Sequence, residues 1–191
     1  SVLTLPSPCS TADGAPPLAL LRAVERVDPG VVVVAAAGNH SELTGVGDVG
    51  PAKLSTFAEL PSWPAALGDV LAVGAVDRRG DRAQFSPDQP WVDGLAPGVQ
   101  LRSTYVPTPC AGHAHHSSAP WAEWSGTSFA TARVSGLIAP GVRPNQRSAA
   151  DVVAALLSPV PVLTTGGVTA GASQPPRRLY PRVAGWARGV R

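Results

Sequence analysis

An unbroken apolar run over residues 31–37 constrains the fold of this 191-residue chain more than any other feature. Four valines open the run, and Gly38 and Asn39 end it. An apolar segment of strand length that is rich in β-branched residues and stopped by turn-forming residues is typical of a strand buried on both faces. Such strands belong to parallel sheets that helices cover on both sides. The sequence therefore predicts an α/β fold with a mostly parallel sheet.

Apolar patterns elsewhere predict the other strands and the helices. The predicted strands cover Val2–Leu5, Val70–Val76 and short segments within 83–104, and the predicted helices cover 17–27, Thr127–Ile138 and the residues from a cap at or near Ser148 to Leu157. In the second helix, apolar residues recur at i, i+4, i+7 and i+8, so that we expect one buried face. Its members are Ala130, Val134, Leu137 and Ile138.

Gly126, Thr127 and Ser128 form a G-T-S motif at the start of the second helix. Ser128 is therefore predicted in the first turn, where backbone N–H groups are unpaired and the helix dipole is positive. A nucleophile whose attack generates an oxyanion would be stabilised there. Serine is also a preferred N-cap residue, so that the motif by itself is better explained by helix capping.

Asn39 directly follows the apolar run that predicts the central strand. Ligands of open α/β sheets bind beyond the carboxyl ends of the strands. The amide of Asn39 can donate hydrogen bonds to such a ligand. Asparagine is also common in turns because it tolerates left-handed backbone conformations, which is the structural alternative for this position.

Taken together, the two motifs resemble those of the subtilisin-like (S8) serine proteases. In that family the serine of G-T-S-[MF]-A is the nucleophile, and the asparagine of A-A-G-N completes the oxyanion hole. Further family segments match in the same order, namely W-P-A-A at 63–66, V-L-A-V-G-A-V-D at 70–77, A-Q-F-S at 83–86, A-P-G-V at 96–99 and S-T at 103–104. Several matches in the correct order identify the family far more specifically than one motif does.

The resemblance implies a three-layer fold and a serine endopeptidase acting on polypeptides, secreted or at the cell surface. It implies that Ser128 and Asn39 are catalytic and that Ala36, Ala37 and Gly38 form one wall of the primary specificity pocket. Catalysis in the family needs no cofactor. Calcium is a common structural ion there, but no carboxylate cluster in this sequence calls for it.

Two members of the family's catalytic triad have no counterpart in this chain. The triad runs in the order Asp, His, Ser, and the first two precede the strand that matches Val2–Leu5. No D-[ST]-G or H-G-T-H segment occurs in the 191 residues. We therefore expect residues 1–158 to be the C-terminal part of a peptidase domain, inactive alone, with Val2–Leu5 at or near a sheet edge. The alternative is a pseudoprotease or binding scaffold that has lost the triad.

The chain also departs from the family after its first strand. The family has S-L-G there, where the backbone pairs with an extended substrate, whereas this chain has Pro6, Ser7 and Pro8. Because proline has no N–H group, normal strand pairing with a peptide is in doubt at this wall.

Histidines and cysteines leave two further questions open. His113, His115 and His116 precede the G-T-S motif and could supply a base or metal ligands, but no other residue completes a ligand set with good spacing, which favours a solvated loop. Cys9 and Cys110 form either a disulfide or two free thiols.

Composition excludes several other classes of protein. The net charge is +2 and no basic face carries interleaved aromatic residues, so nucleic-acid binding has no support. No apolar run approaches the ~20 residues of a membrane-spanning helix. An α/β-hydrolase esterase would need a G-x-S-x-G elbow, which is absent from the sequence.

Residues 159–191 are rich in Pro, Gly, Ser and Arg, which predicts a tail with little packed structure.

Overall fold

The computed structural model describes residues 1–39, 60–105, 121–158 and 177–178. Among them, the strands are β1 (Val2–Leu5), β2 (Val32–Ala36), β3 (Val70–Val76), β4 (Gly94–Pro97), β5 (Leu101–Thr104), β6 (Trp121–Trp124) and β7 (Arg177–Arg178). The helices are α1 (Leu18–Glu25), α2 (Thr127–Ile138) and α3 (Ala149–Leu157), with a short 3₁₀ turn at Ala139–Gly141. The predicted elements are all found, and their ends differ from the predictions by at most two residues.

A parallel sheet with the strand order β1-β2-β3-β4-β7 forms the centre of the fold. All four of its strand pairs are parallel, with Leu3 opposite Val33 and Ala35 opposite Ala72. Strands β5 and β6 form a separate antiparallel ribbon. Within the described residues β1 is an edge strand, as the sequence predicted.

The alternation of side chains along β2 divides the core into two layers, one on each face of the sheet. Val34 packs with the buried residues of α2 and with Val152 of α3. Val33 and Ala35 point the other way and pack against Val24, on α1. Because both faces are covered, β2 needs an apolar residue at every position, and its run of valines and alanines meets that need. The three-layer α/β prediction is confirmed.

The buried face of α2 differs from the prediction at one position. Ala130, Val134 and Ile138 are completely buried, as expected, but Leu137 is 44% exposed. Thr127 and Thr131 are completely buried instead. At 3.6 residues per turn Leu137 lies about 80° from the centre of the buried stripe, at its flank, so that the prediction for Leu137 was wrong.

The start of α3 is fixed by a capping box. The Ser148 hydroxyl accepts a hydrogen bond from Asp151 N at 3.1 Å, and Asp151 Oδ2 accepts one from Ser148 N at 2.8 Å. The hydrogen bonds from the Ser148 side chain and backbone lower the pKa of Asp151. Two N–H groups that the helix leaves unpaired are thus satisfied, and the predicted cap at Ser148 is confirmed.

One pairing comes from the segment that the sequence assigned to a tail. Gly94 pairs with Arg177 and Leu95 with Arg178, which places β7 beside β4. The rest of 159–191 lies outside the described residues, so its predicted lack of packed structure stays a prediction. Among the residues described, none of the helices has the length and apolar character to cross a bilayer.

Ile138 and Leu137 provide a test of which face of α2 is buried. Replacing Ile138 by alanine should lower the free energy of unfolding by about 2–5 kcal/mol, because a completely buried side chain is lost. Replacing Leu137 by alanine should change it by less than about 0.5 kcal/mol. Urea unfolding of the full-length variants measures both values. Equal losses would contradict the orientation of the helix.

Candidate active site

The candidate site lies where the carboxyl ends of three parallel strands meet the start of α2. Asn39 follows β2, Pro6 follows β1, and Gly98 follows β4. Each of these residues is hydrogen-bonded near the start of α2. Asn39 Oδ1 accepts from Thr127, and the Pro6 carbonyl accepts from Ser128. The Gly98 carbonyl accepts from Gly126, the residue before the helix. This edge of a parallel sheet is where α/β proteins place their ligands.

The side chain of Asn39 is held at the first residue of α2. Its Oδ1 accepts hydrogen bonds from Thr127 N at 2.9 Å and from Thr127 Oγ1 at 3.0 Å. Because the backbone N–H can only donate, the end of the amide that contacts it is the oxygen. Nδ2 is therefore the opposite end of the group, and a Cβ atom at Gly126 would lie 3.2 Å from it.

Thr127 links the end of β2 to the start of α2. Its completely buried hydroxyl accepts a hydrogen bond from Gly38 N at 3.1 Å while it donates to Asn39 Oδ1. Gly38 has a φ of +106°, which strongly favours glycine. The A-G-N sequence thus turns the chain sharply after β2. It presents both the Gly38 N–H and the Asn39 side chain to Thr127.

Gly98 and Gly126 bring the loop before α2 against the end of β4. The Gly126 N–H donates to the Gly98 carbonyl at 2.8 Å. A Cβ atom at Gly98 would lie 2.8 Å from both the Gly126 carbonyl oxygen and the Ala75 Cβ, closer than real Cβ contacts allow. The A-P-G-V segment therefore owes its glycine to this close approach, which fixes the position of the first turn of α2.

Ser128 lies in that first turn and is partly buried. Its hydroxyl donates a hydrogen bond to the carbonyl oxygen of Pro6 at 2.6 Å. A backbone carbonyl is not a general base, so this contact orients the hydroxyl without activating it. The four histidines at 40, 113, 115 and 116 all lie outside the described residues. No imidazole is thus available to Ser128 within the described part of the chain.

Aromatic side chains lie beside the candidate nucleophile. Phe129 follows Ser128 directly and stacks on Trp124 of β6, with ring centroids 6.4 Å apart and an interplanar angle of 19°. Tyr105 also contacts Trp124, with ring centroids 6.3 Å apart and an interplanar angle of 43°. Trp124 is 49% exposed. The sequence analysis did not single out this cluster, because its members are brought together by the pairing of β5 with β6.

The residues predicted to line a specificity pocket lie at the end of β2. Ala36 and Ala37 are completely buried, and Ala37 packs against Val76 and Leu95 in the core. A pocket wall at these positions would therefore be made by backbone rather than by the Ala37 methyl group. Their role in substrate binding stays a prediction.

The structure does not place the cysteines or a set of metal ligands at the candidate site within the described residues. Cys9 is exposed, and its backbone pairs with that of Trp63, while Cys110 lies outside the described residues, so a disulfide between the cysteines stays untested. In the part of the chain that is described, no three His, Cys, Asp or Glu side chains are arranged to hold a metal ion.

The carboxylate with a raised pKa lies at the other end of the sheet. Burial raises the pKa of Asp93, and the hydrogen bond that its Oδ2 accepts from Ala72 N at 2.7 Å partly offsets the rise. Asp93 precedes β4, so it is at the amino end of that strand, opposite the candidate site. Burial also lowers the pKa of Arg133 on α2. Asp93 is an exposed residue at the far end of the sheet, so its pKa shift does not concern the candidate site.

Comparison with known proteins gives a consistent result. A family model described as the Subtilase family matches residues 4–158. The M-protease of Shouchella clausii (strain KSM-K16) and subtilisin Savinase of Lederbergia lenta are each 34% identical over 134 residues, or 70% of this chain. These residues make up 26% of the first relative and 37% of the second, so the chain spans only part of the length of either protein.

Solved structures share the fold. The prenylagaramide maturation protease PagA is 27% identical, with a TM-score of 0.53, over 72% of this chain and 42% of that protein. A cold adapted subtilisin-like serine proteinase has a TM-score of 0.56 over 82% of this chain and 47% of that protein. Its identity is 24%, so this second similarity supports the fold alone.

Thr127 and Thr131 form a matched pair that tests the link between β2 and α2. Valine at 127 should leave the Gly38 N–H without an acceptor, which costs about 1–3 kcal/mol of stability. Replacing Thr131 by valine should cost less, because the Thr131 hydroxyl only adds a bond to the Thr127 carbonyl of the same helix. Urea unfolding and hydrogen exchange of the Gly38 amide measure the effect. Unchanged exchange in Thr127→Val would refute the link.

Proposed function

The chain belongs to the subtilase family, and we propose that the protein is a serine-type endopeptidase with Ser128 as its nucleophile. One observation carries the assignment of the site: Asn39, 88 residues earlier in the chain, is hydrogen-bonded to Thr127, the residue before Ser128. Ser128 and Asn39 thus lie together at the carboxyl ends of parallel strands. A helix cap alone would not need an asparagine from the turn after β2 at that place.

In the proposed mechanism the Ser128 Oγ attacks the scissile carbonyl of a polypeptide. An imidazole takes the hydroxyl proton as the new C–O bond forms, and a carboxylate orients that imidazole. The tetrahedral intermediate collapses to an acyl-enzyme on Ser128 when the imidazole returns the proton to the leaving amine. Water then attacks the acyl-enzyme while the imidazole takes one of its protons. The second tetrahedral intermediate expels the Ser128 Oγ, which recovers that proton from the imidazole.

The oxyanion of that intermediate would be bound by Asn39 and by the start of α2. The two bonds from Thr127 hold Oδ1 of Asn39, which leaves the Nδ2 hydrogens as the donors that are free to face a ligand. The Ser128 N–H belongs to the first turn and has no partner within the helix. These donors and the positive end of the helix dipole favour a negative charge in the same place.

The base and its orienting carboxylate are proposed to lie upstream of Ser1 in the full-length protein. The family's order of triad residues supports this placement. The hydrogen bond of the Ser128 hydroxyl to the Pro6 carbonyl supports it as well, since this carbonyl cannot accept the proton during attack. The 191 residues by themselves are then a nucleophile and an oxyanion site without a base, and they should be inactive.

We further propose, from the family resemblance, that the protein acts in a secreted or cell-surface setting. Ala36, Ala37 and Gly38 would border the pocket for the side chain next to the scissile bond, mainly through backbone atoms. The chemistry requires no cofactor, and no role for calcium is proposed.

A pseudoprotease is the second candidate. The absence of D-[ST]-G and H-G-T-H from the 191 residues favours it. In that case the same cleft would bind peptides without cutting them. Sequence upstream of Ser1 that contains both segments would support the enzyme.

A fluorophosphonate probe tests the nucleophile. The full-length protein should be labelled at Ser128, and Ser128→Ala should abolish the label. The 191-residue chain should stay essentially unlabelled, because in subtilisin itself loss of the catalytic histidine lowers kcat about 10⁶-fold. Peptide mapping by mass spectrometry identifies the labelled residue. Rapid labelling of the 191-residue chain would show that it contains its own base.

Two substitutions at Asn39 separate its proposed catalytic role from its structural one. In subtilisin, loss of one oxyanion donor lowers kcat about 10²–10³-fold, and we expect a similar fall for Asn39→Ala with little change in KM. Asn39→Asp keeps an oxygen for both bonds from Thr127 but removes the donor, so its kcat should fall at least as far. Steady-state kinetics of the full-length variants measure both. Near-normal kcat in Asn39→Asp would leave Asn39 with a structural role only.

A further inference from the structure

Strand β7 points towards the candidate active site. It pairs with β4, and the pairing is parallel. The residue that follows β4, Gly98, accepts a hydrogen bond from Gly126, two residues before Ser128. Because parallel strands end on the same side of a sheet, β7 ends towards the edge at which Ser128 lies. Residues 179–191 therefore follow β7 in the chain from a point near this edge.

The outer edge of β4 offers a neighbouring strand one N–H group within 94–97. Gly98 N donates to the Val76 carbonyl at 3.0 Å, so this N–H points inwards, to β3. Successive N–H groups of a strand point to opposite edges, which assigns the N–H of Ala96 to β3 and that of Leu95 to the outer edge. Pro97, the other outward position, has no N–H. Strand β7 therefore covers the Leu95 position, and β4 offers no further donor to the residues that follow β7.

The charges of the chain favour a contact between this tail and the rest of the protein. All 13 acidic residues lie within 1–158, together with ten of the 15 basic residues. The other five basic residues are Arg177, Arg178, Arg182, Arg188 and Arg191. At neutral pH the first segment thus has a net negative charge and the tail a positive one, and the two attract each other.

The exposed ring of Trp124 provides a place for an arginine side chain. Trp124 is 49% exposed and forms the aromatic cluster with Tyr105 and Phe129. Guanidinium groups stack on the faces of indole rings. The same ribbon contains one such pair, in which Arg102 Cζ lies 5.5 Å from the centre of the Trp121 ring. Among the described residues no guanidinium stacks on Trp124 in this way, so its ring is open to a cation from elsewhere in the chain.

The length of the tail decides which arginines can reach this ring. The route from the end of β7 runs along β4, across to the residue before α2 and back to Trp124, about 25 Å in all. An extended chain covers at most about 3.6 Å per residue, so Arg182, four residues after β7, reaches at most about 14 Å. Arg188 is ten residues after β7 and reaches up to about 36 Å. Arg188 and Arg191 therefore span the route, and Arg182 does not.

We propose that residues 179–191 bind in cis to the aromatic cluster beside Ser128, through Arg188 and Arg191, one of which stacks on Trp124. Because β7 holds the start of this segment at the edge of the sheet, its effective concentration at the cluster is high. The bound segment shares the approach to Ser128 with a peptide substrate and competes with it. Only this competition rests on the proposed function, since the contact with Trp124 needs no catalysis.

A tail that serves a separate acidic surface is the competing explanation. Clusters of like charge are commonly solvated and bind partners of the opposite charge. In that case β7 would only protect the edge of β4, and the ring of Trp124 would not sense the arginines. The two explanations therefore differ in what Trp124 reports.

Two double variants of the full-length protein remove the same amount of charge. The distal variant carries Arg188→Gln and Arg191→Gln. The proximal variant carries Arg177→Gln and Arg182→Gln and serves as the matched control. Strand β7 pairs through its backbone, so that glutamine at 177 retains the pairing.

The indole N–H resonances of the 15N-tryptophan-labelled protein test the contact directly. The distal variant should shift the resonance of Trp124, because a stacked cation is lost. The resonance of Trp121 should stay in place, since this ring keeps Arg102. The proximal variant should shift neither resonance. Trp124→Phe and Trp121→Phe assign the two signals.

Steady-state kinetics with a neutral peptide substrate test the competition. The distal variant should lower KM about 3–10-fold with kcat nearly unchanged, because a competing segment that is held nearby raises KM alone. The proximal variant should change KM by less than about two-fold.

Amide hydrogen exchange of the unmodified full-length protein tests the anchor. The N–H of Leu95, which faces β7, should exchange about as slowly as that of Ala96, which faces β3. Exchange of Leu95 that is more than about 100-fold faster would show an uncovered edge and overturn the proposal.

The spectra and the kinetics separate this proposal from the endopeptidase proposal. A Trp124 shift confined to the distal variant, without hydrolysis of any peptide by the unmodified protein, would sink the endopeptidase and support the contact. Equal shifts of Trp124 in both variants, or none in either, would overturn the contact and favour a separate acidic partner. An active protein with the same KM in both variants would overturn the competition.

Discussion

The hydroxyl of Thr127 makes the contact on which the site depends. It joins Gly38 and Asn39, which end a buried strand, to the first turn of a helix that comes 88 residues later. Because the hydroxyl is completely buried, both of its bonds form in surroundings where an unpaired polar group would be costly. The Thr127 N–H, which can only donate, decides that Oδ1 is the end of the Asn39 amide held at the helix. The position of the helix and the orientation of the Asn39 side chain are therefore set by one residue.

The parallel sheet explains why these groups meet at one edge. Parallel strands end on the same side, so the residues that follow β1, β2 and β4 are neighbours although they are far apart in sequence. Helix α2 packs across the sheet through Ala130, Val134 and Ile138, which brings its first turn to that edge. The core thus positions a partly buried serine that makes little contribution to the core itself.

The sequence by itself determined the local elements and the family. Apolar period, β-branched content and capping residues gave β2, β3, α2 and the cap at Ser148, because each depends on neighbours within a few positions. Tertiary structure alone decided that Leu137 is exposed while Thr127 is buried, because the direction in which each residue points from α2, rather than its hydropathy, sets its burial. It also decided that Thr127 anchors Asn39 and that Gly98 supports Gly126. Those contacts join segments whose approach depends on how the sheet and helix pack.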